Sequence, residues 1–303
     1  MTGSIASEDL CVVLATKQLP NGGWPALSSS SQASLEASAL AHLALAPDSD
    51  QVGDRATDFL LKLQNPNGSW PAFVGDDHVG SWTTSLVLIA LRPAAEASGQ
   101  RAQGGEWLSR SSGKESNWFW KWKFRTTDRH VRFDPDKFGW PWHPDTNSWV
   151  VPTAFAMLAL TQPGAESSRV SKRRVELGIE MLLDRCCPGG GWNAGNGIVY
   201  GYPMAPHPDD TAIALLALSS HAREPIVIAS VDWLACVAPR LSAPWSLAWS
   251  ILALAAHQRP IDPLVRELSD WPGLKEVEDN STLAVSCLAL DPPRTLARFG
   301  IAP

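Results

Sequence analysis

The stretch TAIALLALS at residues 211–219 is apolar on nearly every side, which is typical of a buried helix rather than a surface helix. Closely similar stretches recur five more times: SALAHLALA (38–46), TSLVLIALR (84–92), TAFAMLALT (153–161), LAWSILALA (247–255) and LAVSCLALD (283–291). Recurrence along a whole chain predicts a repeat architecture, in which each unit buries its apolar face against its neighbours.

Amphipathic stretches lie between the apolar ones, for example QVGDRATDFLLKLQ (51–64) and RVSKRRVELGIEMLLDRC (169–186). The joints are turns rich in Gly, Pro and Asn that end in Trp: LPNGGW (19–24), NPNGSW (65–70) and PGGGW (188–192). Six such helix pairs predict an all-α (α/α)6 toroid, with six apolar inner helices inside a ring of six outer helices. Because no linker interrupts the pattern, we expect a single domain over residues 1–303.

Closure of the ring would bring the first residues of the six inner helices to one mouth. Aligning the six apolar stretches places the following residues at the same level: Glu36, Trp82, Val151, Asp209, Trp245 and Ser281. We expect a central cavity with a few acids at its mouth and an aromatic wall that also includes Trp142, Trp149, Phe155 and Trp249. For each aromatic residue taken alone, ordinary core packing is the alternative interpretation.

The composition excludes several classes of protein. A formal net charge of −6 argues against nucleic-acid binding, which requires a basic surface. The five cysteines form no CxxC pair, so reduced thiols in a cytoplasmic protein are the simplest expectation. No signal peptide is visible at the N-terminus, and no apolar run reaches the ~20 residues of a membrane span.

A tryptophan-rich insertion is expected at about residues 113–146. Six of the fifteen tryptophans lie in residues 116–149, interleaved with Lys121, Lys123, Arg125, Arg129 and Arg132. Trp faces can stabilise cations, and the basic side chains can hold a carboxylate or a diphosphate. The alternatives are a lid that packs on its own barrel and a rim that contacts a membrane surface peripherally.

The turns QLPNGGW and LQNPNGSW resemble the QW-type repeats of squalene–hopene cyclases and prenyltransferase β-subunits. The stretch HPDDTA (207–212) resembles the D-x-D-D-T-A motif of class II terpene cyclases, whose middle aspartate protonates an alkene or epoxide. This resemblance implies that Asp209 is the proton donor and Asp210 its neighbour, while His207 replaces the first aspartate of the motif. Single-domain class II cyclases that act on prenylated aromatic acids also exist in this superfamily.

A donor that protonates an alkene must be a neutral carboxylic acid. Adjacent carboxyl groups titrate as a coupled pair, so one of Asp209 and Asp210 can retain its proton, and His207 could orient that acid. The alternative is structural, because aspartates in the first turn of a helix stabilise its N-terminus.

A second acidic group, Asp76, Asp77 and His78, precedes the second apolar stretch. It could supply the proton donor instead, or hold a metal ion that binds a diphosphate, and the alternative is a solvated turn. The resemblance to prenyltransferases does not extend to their zinc ligands, because VDWLAC (231–236) has the wrong spacing. We therefore expect no metal site and no redox cofactor, with Mg²⁺ relevant only for a diphosphate substrate.

These observations predict a class II terpene or meroterpenoid cyclase that acts on an isoprenoid or prenylated small molecule. Two alternatives stay open: a non-catalytic toroid that binds an isoprenoid or a partner, and a lyase or hydrolase that uses two separated carboxylates such as Glu36 and Asp209. The oligomeric state is not predicted.

Overall fold

The computed structural model describes residues 6–45, 50–75, 78–127, 132–162 and 168–301. Two short antiparallel hairpins pair β1 (Trp24–Pro25) with β2 (Ala33–Ser34), and β3 (Ile198–Val199) with β4 (Tyr202–Pro203). The α-helices in these ranges are, in chain order, α1 (Ser7–Thr16), α2 (Leu35–Leu45), α3 (Asp50–Lys62), α4 (Thr83–Ala90), α5 (Ser98–Arg110), α6 (Trp118–Thr126), α7 (Val150–Leu160), α8 (Arg169–Asp184), α9 (Pro208–Ala217), α10 (Pro225–Val237), α11 (Pro244–Ala256), α12 (Asp262–Ser269), α13 (Asn280–Ala289) and α14 (Pro292–Arg298).

Six helices form a closed inner ring. Each of α2, α4, α7, α9 and α11 packs against the next, and α13 packs back against α2. These are the helices of the six apolar stretches, and every residue of α7 is buried, as an inner helix requires. Helices α1, α3, α5, α8, α10 and α12 pack around them from outside. The predicted (α/α)6 toroid is therefore confirmed.

Four buried tryptophans connect the outer and inner rings. The indole N–H of Trp24 donates to the carbonyl oxygen of Leu14 in α1 at 2.8 Å, and its backbone N–H donates to Oγ of Ser38 in α2 at 2.8 Å. The same two hydrogen bonds recur at Trp70 (with Leu60 and Thr84), Trp140 (with Leu108 and Thr153) and Trp192 (with Leu182 and Thr211). Trp thus holds the end of the outer helix to the next inner helix in four of the six repeats.

The glutamines of the QW-like turns have an equally local function. Nε2 of Gln18 donates to the carbonyl oxygens of Gly22 and Val52, closing its own turn and holding the start of the following outer helix. Gln64 makes the equivalent pair of hydrogen bonds in the next repeat, to Gly68 and Gln100. The part of the sequence that resembles QW repeats therefore stabilises the fold.

Helix α14 lies across the end of the ring where the inner helices finish, against α2, α11 and α13. Its C-terminal neighbour Phe299 is only 1% exposed and packs on Trp249 of α11, with ring centroids 6.3 Å apart. Nε2 of Gln162, which follows α7, donates to the carbonyl oxygen of Phe299 at 2.6 Å. The repeat pattern did not predict this helix, which closes the end of the ring opposite the mouth.

The tryptophan-rich segment between α5 and α7 is held by a buried ion pair. Nη2 of Arg185 lies 2.9 Å from Oε1 of Glu115, and both side chains are almost fully buried. The Glu115 carboxylate also accepts the backbone N–H of Ser148, whose carbonyl oxygen accepts from Arg185 at 2.7 Å. A buried pair with these extra hydrogen bonds has its charges compensated and positions the segment on α8. Within the segment, Trp140 is the tryptophan that follows the outer helix of the third repeat. The expectation of a single domain over residues 1–303 stays a prediction.

Candidate functional site

The mouth of the ring is built from loops that hydrogen-bond from one repeat to the next. The backbone N–H groups at the inner-helix starts donate to carbonyl oxygens of neighbouring loops, in the pairs Leu35–Ala72, Trp82–Trp142, Val150–Ala194 and Asn280–Ala26, at 2.9–3.0 Å. These bonds hold the helix starts in a fixed relation to one another. Side chains from different repeats are therefore positioned on a common rim.

Helix α9 brings the predicted acids to this rim. His207 precedes the helix in an extended conformation, and Pro208 occupies its first turn, where a missing N–H costs nothing. The sequence left open which of the two aspartates His207 orients, and in the structure Nδ1 of His207 lies 2.8 Å from Oδ2 of Asp210. Asp210 follows His207 by three positions, a spacing that places both side chains on one face of the chain. Asp209 makes no hydrogen bond or ion pair with any residue that the structure describes.

Burial raises the pKa of Asp210 above its ordinary value, the hydrogen bond from His207 opposes this effect, and the charge of Asp209 adds to it. The Asp210 side chain is 13% exposed, whereas that of His207 is 57% exposed. The pair therefore links a shielded carboxyl group to a solvent-exposed imidazole. No side-chain hydrogen bond caps α9, so these aspartates can assist the helix only through their charge near its N-terminus.

Thr211, the next residue, is structural. It is fully buried, and its hydroxyl accepts the backbone N–H of Trp192 at 2.8 Å and lies 3.1 Å from the Trp192 carbonyl oxygen. This is the hydroxyl position that Ser38, Thr84 and Thr153 occupy in the other repeats. The threonine of the HPDDTA motif thus belongs to the repeat rather than to the acids.

Glu36 contributes a third acid at the mouth, in the first turn of α2. Water reaches part of its side chain, but burial, with a smaller contribution from the nearby charge of Asp279, raises the pKa of the carboxyl group to about 7. Glu36 has no hydrogen bond or ion pair within the described ranges. Asp279 is the N-cap of α13, where its Oδ1 accepts the N–H of Thr282 at 2.5 Å.

An aromatic column extends from the mouth through the ring. Trp142 contacts Trp82 (centroids 4.9 Å apart), Trp82 contacts Phe155 (5.8 Å), and Phe155 contacts Trp249 (5.7 Å). Trp249 in turn contacts Phe299 at the closed end, and Trp245 lies 5.8 Å from Trp249. Phe155, Trp249 and Phe299 are almost completely buried, while Trp82 and Trp245 are half-buried and Trp142 is exposed.

The contacts of Phe155, Trp249 and Phe299 fill the lower part of the ring, which leaves the half-buried indoles of Trp82 and Trp245 as the members of the column nearer the mouth. The sequence did not predict Phe299 as a member of the column, because its apolar character is the only signal in its part of the sequence.

The indole N–H of Trp249 is buried and has no acceptor among the described residues. A buried donor without an acceptor is costly and is therefore uncommon in folded proteins.

The remaining predicted site residues lie elsewhere. Trp149 packs next to Gly195, on the loop of the neighbouring repeat. Asp76 and Asp77 fall outside the described residues, and His78 beside them is exposed.

A cavity of about 220 Å³ opens beside Trp82 and Trp142 and reaches the buried hydroxyl of Ser85, which has no hydrogen-bond partner in the described structure. A larger groove of about 610 Å³ runs between α5 and the start of α8, on the outside of the ring.

Among the residues described, no three His, Cys, Asp or Glu side chains come together in a way that could hold a metal ion. Likewise, none of the described helices combines the length and the apolar character needed to cross a membrane.

Comparison with solved structures identifies proteins of the same architecture. A type II terpene cyclase from Scytonema, solved with merosterolic acid A as product, matches with a TM-score of 0.54 at 15% identity, over 96% of each chain. An endo-β-1,4-glucanase from Acetobacter xylinum matches with a TM-score of 0.61 at 11% identity, over 96% of this chain and 99% of its own. An α-1,6-mannanase of Salegentibacter, in an inactive variant with two consecutive aspartates changed to asparagine, matches with a TM-score of 0.60 at 11% identity, over 96% and 98%.

No protein-family model matches the chain, and no curated protein matches its sequence. At identities this low, structural likeness is evidence of fold alone. The resemblance to the cyclase toroids that the repeats indicated is confirmed at that level: this chain shares its (α/α)6 toroid with a type II terpene cyclase, an endoglucanase and a mannanase.

Proposed function

We propose that the protein is an enzyme of the class II terpene or meroterpenoid cyclase type, which starts ring closure by protonating an isoprenoid chain. The observation that carries this proposal is the aromatic column that begins at the acid-bearing mouth and continues through Trp82 and Phe155 to Trp249. An isoprenoid chain and the carbocations derived from it require an apolar, aromatic surface without nucleophiles.

In the proposed reaction, Asp209 donates its proton to a terminal alkene or epoxide. The resulting cation is attacked by the next double bond of the same chain, and transfer of a proton from carbon to a water molecule ends the sequence, so the product is an isomer of the substrate. The His207–Asp210 pair stands beside the donor, and the exposed imidazole can return a proton from solvent after each turnover. The half-buried Trp82 and Trp245 would shape the folded chain and stabilise its positive charge, while the buried Trp249 would support Phe155 from below.

The experiment is incubation of the purified protein with prenyl diphosphates, prenyl epoxides and geranylgeranyl dihydroxybenzoate, followed by mass spectrometry and NMR for isomeric cyclic products. Asp209→Asn should abolish product formation, and Glu267→Gln, which removes an exposed acid on α12, should not. Asp76→Asn/Asp77→Asn tests the other acidic group. If only this double variant loses activity, the proton donor lies there and the assignment to Asp209 is wrong.

Mg²⁺ enters the proposal only for a diphosphate substrate. A parallel incubation with EDTA should therefore stop conversion of prenyl diphosphates and leave conversion of the other substrates unchanged.

The five cysteines are free, which supports the proposal of a reducing, cytoplasmic location. If an isoprenoid binds tightly but is never converted, the protein is a binding toroid and the catalytic proposal fails.

A hydrolase with two carboxylates is the second candidate, and Glu36 is the observation that favours it. With a pKa of about 7, Glu36 is partly protonated at neutral pH and can act as a general acid. Helices α2 and α9 are the first and fourth of six inner helices, so Glu36 and Asp209 belong to opposite sides of the ring. With neighbouring helix axes about 8–10 Å apart, opposite axes of a six-membered ring are about 16–20 Å apart, so the two carboxyl groups are separated from each other, as those of a two-carboxylate hydrolase are.

Incubation with mannan and with carboxymethylcellulose, followed by measurement of reducing ends, tests this candidate. A hydrolase would lose activity in both Glu36→Gln and Asp209→Asn, because acid and base are both required. A cyclase that uses Asp209 as sole donor would release no sugar and would retain cyclisation in Glu36→Gln.

A further inference from the structure

Helix α6 exposes three of its five aromatic side chains. Trp118 is 77% exposed, Trp122 one turn later is 57% exposed, and Phe119 beside them is also exposed. No residue of α6 is buried. The opposite face, with Trp120 and Phe124, is half-buried. A surface helix normally directs its apolar side chains inward, so the outward indoles of α6 lack the cover that such side chains usually have.

The orientation of α6 is held by contacts on its inner side. The ammonium groups of Lys114 and Lys123 lie over the Trp120 ring, at 4.4 and 4.8 Å from its centroid. Lys121 forms an ion pair of 3.1 Å with Asp136, which Arg125 also contacts. These contacts fix the helix with Trp118 and Trp122 facing solvent, so their exposure is a property of the folded protein.

The hairpin β3–β4 is linked to α6 through Arg132 and Phe133, and it exposes two tyrosines. Phe124 of α6 packs on Phe133 at 5.2 Å between centroids, and the backbone N–H of the adjacent Arg132 donates to the carbonyl oxygen of Ile198. At the hairpin tip Tyr200 has φ of 52° and Gly201 φ of 79°, the left-handed pair of a two-residue turn. Tyrosine is an unfavourable residue at positive φ, yet it occupies this exposed tip.

Exposed large apolar side chains are concentrated at this end of the molecule. They comprise Trp118, Phe119, Trp122 and Trp142 from the insertion, Tyr200, Tyr202 and Met204 from the hairpin, and Leu27, Phe73 and Val79 from the loops before α2 and α4. The other four in the described structure, Val12, Val170, Ile226 and Ile228, are spread over outer helices. The mouth is therefore surrounded by an apolar, mainly aromatic surface.

We propose that the aromatic rim formed by Trp118, Phe119, Trp122, Tyr200 and Tyr202 docks the protein, mouth first, onto an anionic lipid bilayer. Trp and Tyr suit the boundary between headgroups and acyl chains, because their rings are apolar at one end and form hydrogen bonds at the other. The rim presents its rings from a helix without buried residues and from a hairpin tip, so they can enter a soft interface without unfolding of the ring.

Charge favours a lipid surface over a second copy of this chain. Residues 113–148 carry seven Lys or Arg and five Asp or Glu, whereas the whole chain has a net charge of −6. An anionic membrane therefore attracts this segment and repels the rest, which orients the protein with its mouth toward the lipid. Two copies that met through this segment would bring like charges together. The proposal does not depend on the reaction, since docking is measured without any substrate.

The test is co-sedimentation of the purified protein with vesicles of phosphatidylcholine, with and without phosphatidylserine. We expect binding to the phosphatidylserine vesicles, and we expect Trp118→Ser/Trp122→Ser to lower the partition coefficient about tenfold or more. The matched control is Ile226→Ser/Ile228→Ser, which removes two exposed apolar side chains from α10, away from the rim. Circular dichroism checks that each variant is folded.

Three outcomes would overturn the proposal. The first is wild-type protein that stays in the supernatant with both kinds of vesicle. The second is equal loss of binding in the rim variant and the α10 variant, which would indicate general stickiness. The third is a dimer, detected by light scattering without lipid, that the rim substitutions convert to monomer, because the rim would then be an interface between copies. Fluorescence quenching by brominated lipid in wild type, reduced in the rim variant, would support the proposed insertion.

Discussion

Replacing Glu36 with glutamine should stabilise the protein at alkaline pH and leave its stability unchanged in acid. The carboxyl group has a pKa of about 7 in the folded protein, against an ordinary value of 4.5, chiefly because burial disfavours its charged form. Between these two pH values the folded state binds more protons than the unfolded state. The free energy of unfolding therefore falls as pH rises through this window, and the full penalty is present above pH ~7.

The size of the effect follows from the two pKa values. Each pKa unit corresponds to about 1.4 kcal/mol, so the difference between 4.5 and about 7 amounts to about 3 kcal/mol. Water reaches part of the Glu36 side chain and screens its charge, and we therefore expect about 2 kcal/mol. Glutamine has a similar shape and no charge, so the variant lacks this penalty at every pH.

Urea denaturation followed by far-ultraviolet circular dichroism, at about pH 4 and about pH 8, measures the effect. Other titrating groups contribute equally to both proteins and cancel in the difference between variant and wild type. Glu36→Gln should match wild type at the lower pH and exceed it by about 2 kcal/mol at the higher pH. Parallel behaviour of the two proteins across this range would refute the assignment of a raised pKa to Glu36.

Asp279→Asn provides a matched control. Asparagine retains an oxygen that can accept the Thr282 N–H, so the cap of α13 is preserved while the charge near Glu36 is removed. Because burial is the larger cause and the Asp279 charge the smaller one, the pH-dependent penalty should shrink but persist. Its complete disappearance would show that the charge of Asp279, rather than burial, raises the pKa of Glu36.

The remaining predictions concern residues that the fold depends on. Thr211→Val leaves the Trp192 N–H without its acceptor and should lower the free energy of unfolding, measured in urea, by about 1–3 kcal/mol. Thr211→Ser retains the hydroxyl and should retain most of the wild-type stability. Equal free energies of unfolding for the two variants would show that this hydrogen bond does not stabilise the fold. Glu115→Ala removes the hydrogen-bonded ion-pair partner of the buried Arg185 guanidinium and should cost about 3–5 kcal/mol in the same assay. Phe299→Ala removes the side chain that closes the ring and should cost about 3–5 kcal/mol, measured by thermal denaturation; a loss below 1 kcal/mol would mean that the column does not depend on it.

The amino-acid sequence alone determined the architecture. Apolar periodicity and Gly-rich turns act over a few residues, so a pattern such as LPNGGW followed by an apolar stretch predicts an outer helix end, a turn and an inner helix without knowledge of distant residues. Repetition of that unit covers each apolar helix with its two neighbours, and closure into a ring also covers the first and the last, because α13 packs on α2. The same local reasoning brought Glu36 and Asp209 to one mouth, since both begin an inner helix.

The tertiary structure decided how these groups interact. His207 contacts Asp210 rather than Asp209, a choice of side-chain direction that spacing does not settle. The pKa of Glu36 is raised by burial and by Asp279, which is near it only because the last inner helix packs against the first. Phe299 completes the aromatic column for the same reason. Short-range pattern specifies helices and turns, whereas desolvation, charge and ring contacts depend on which distant segments closure brings together.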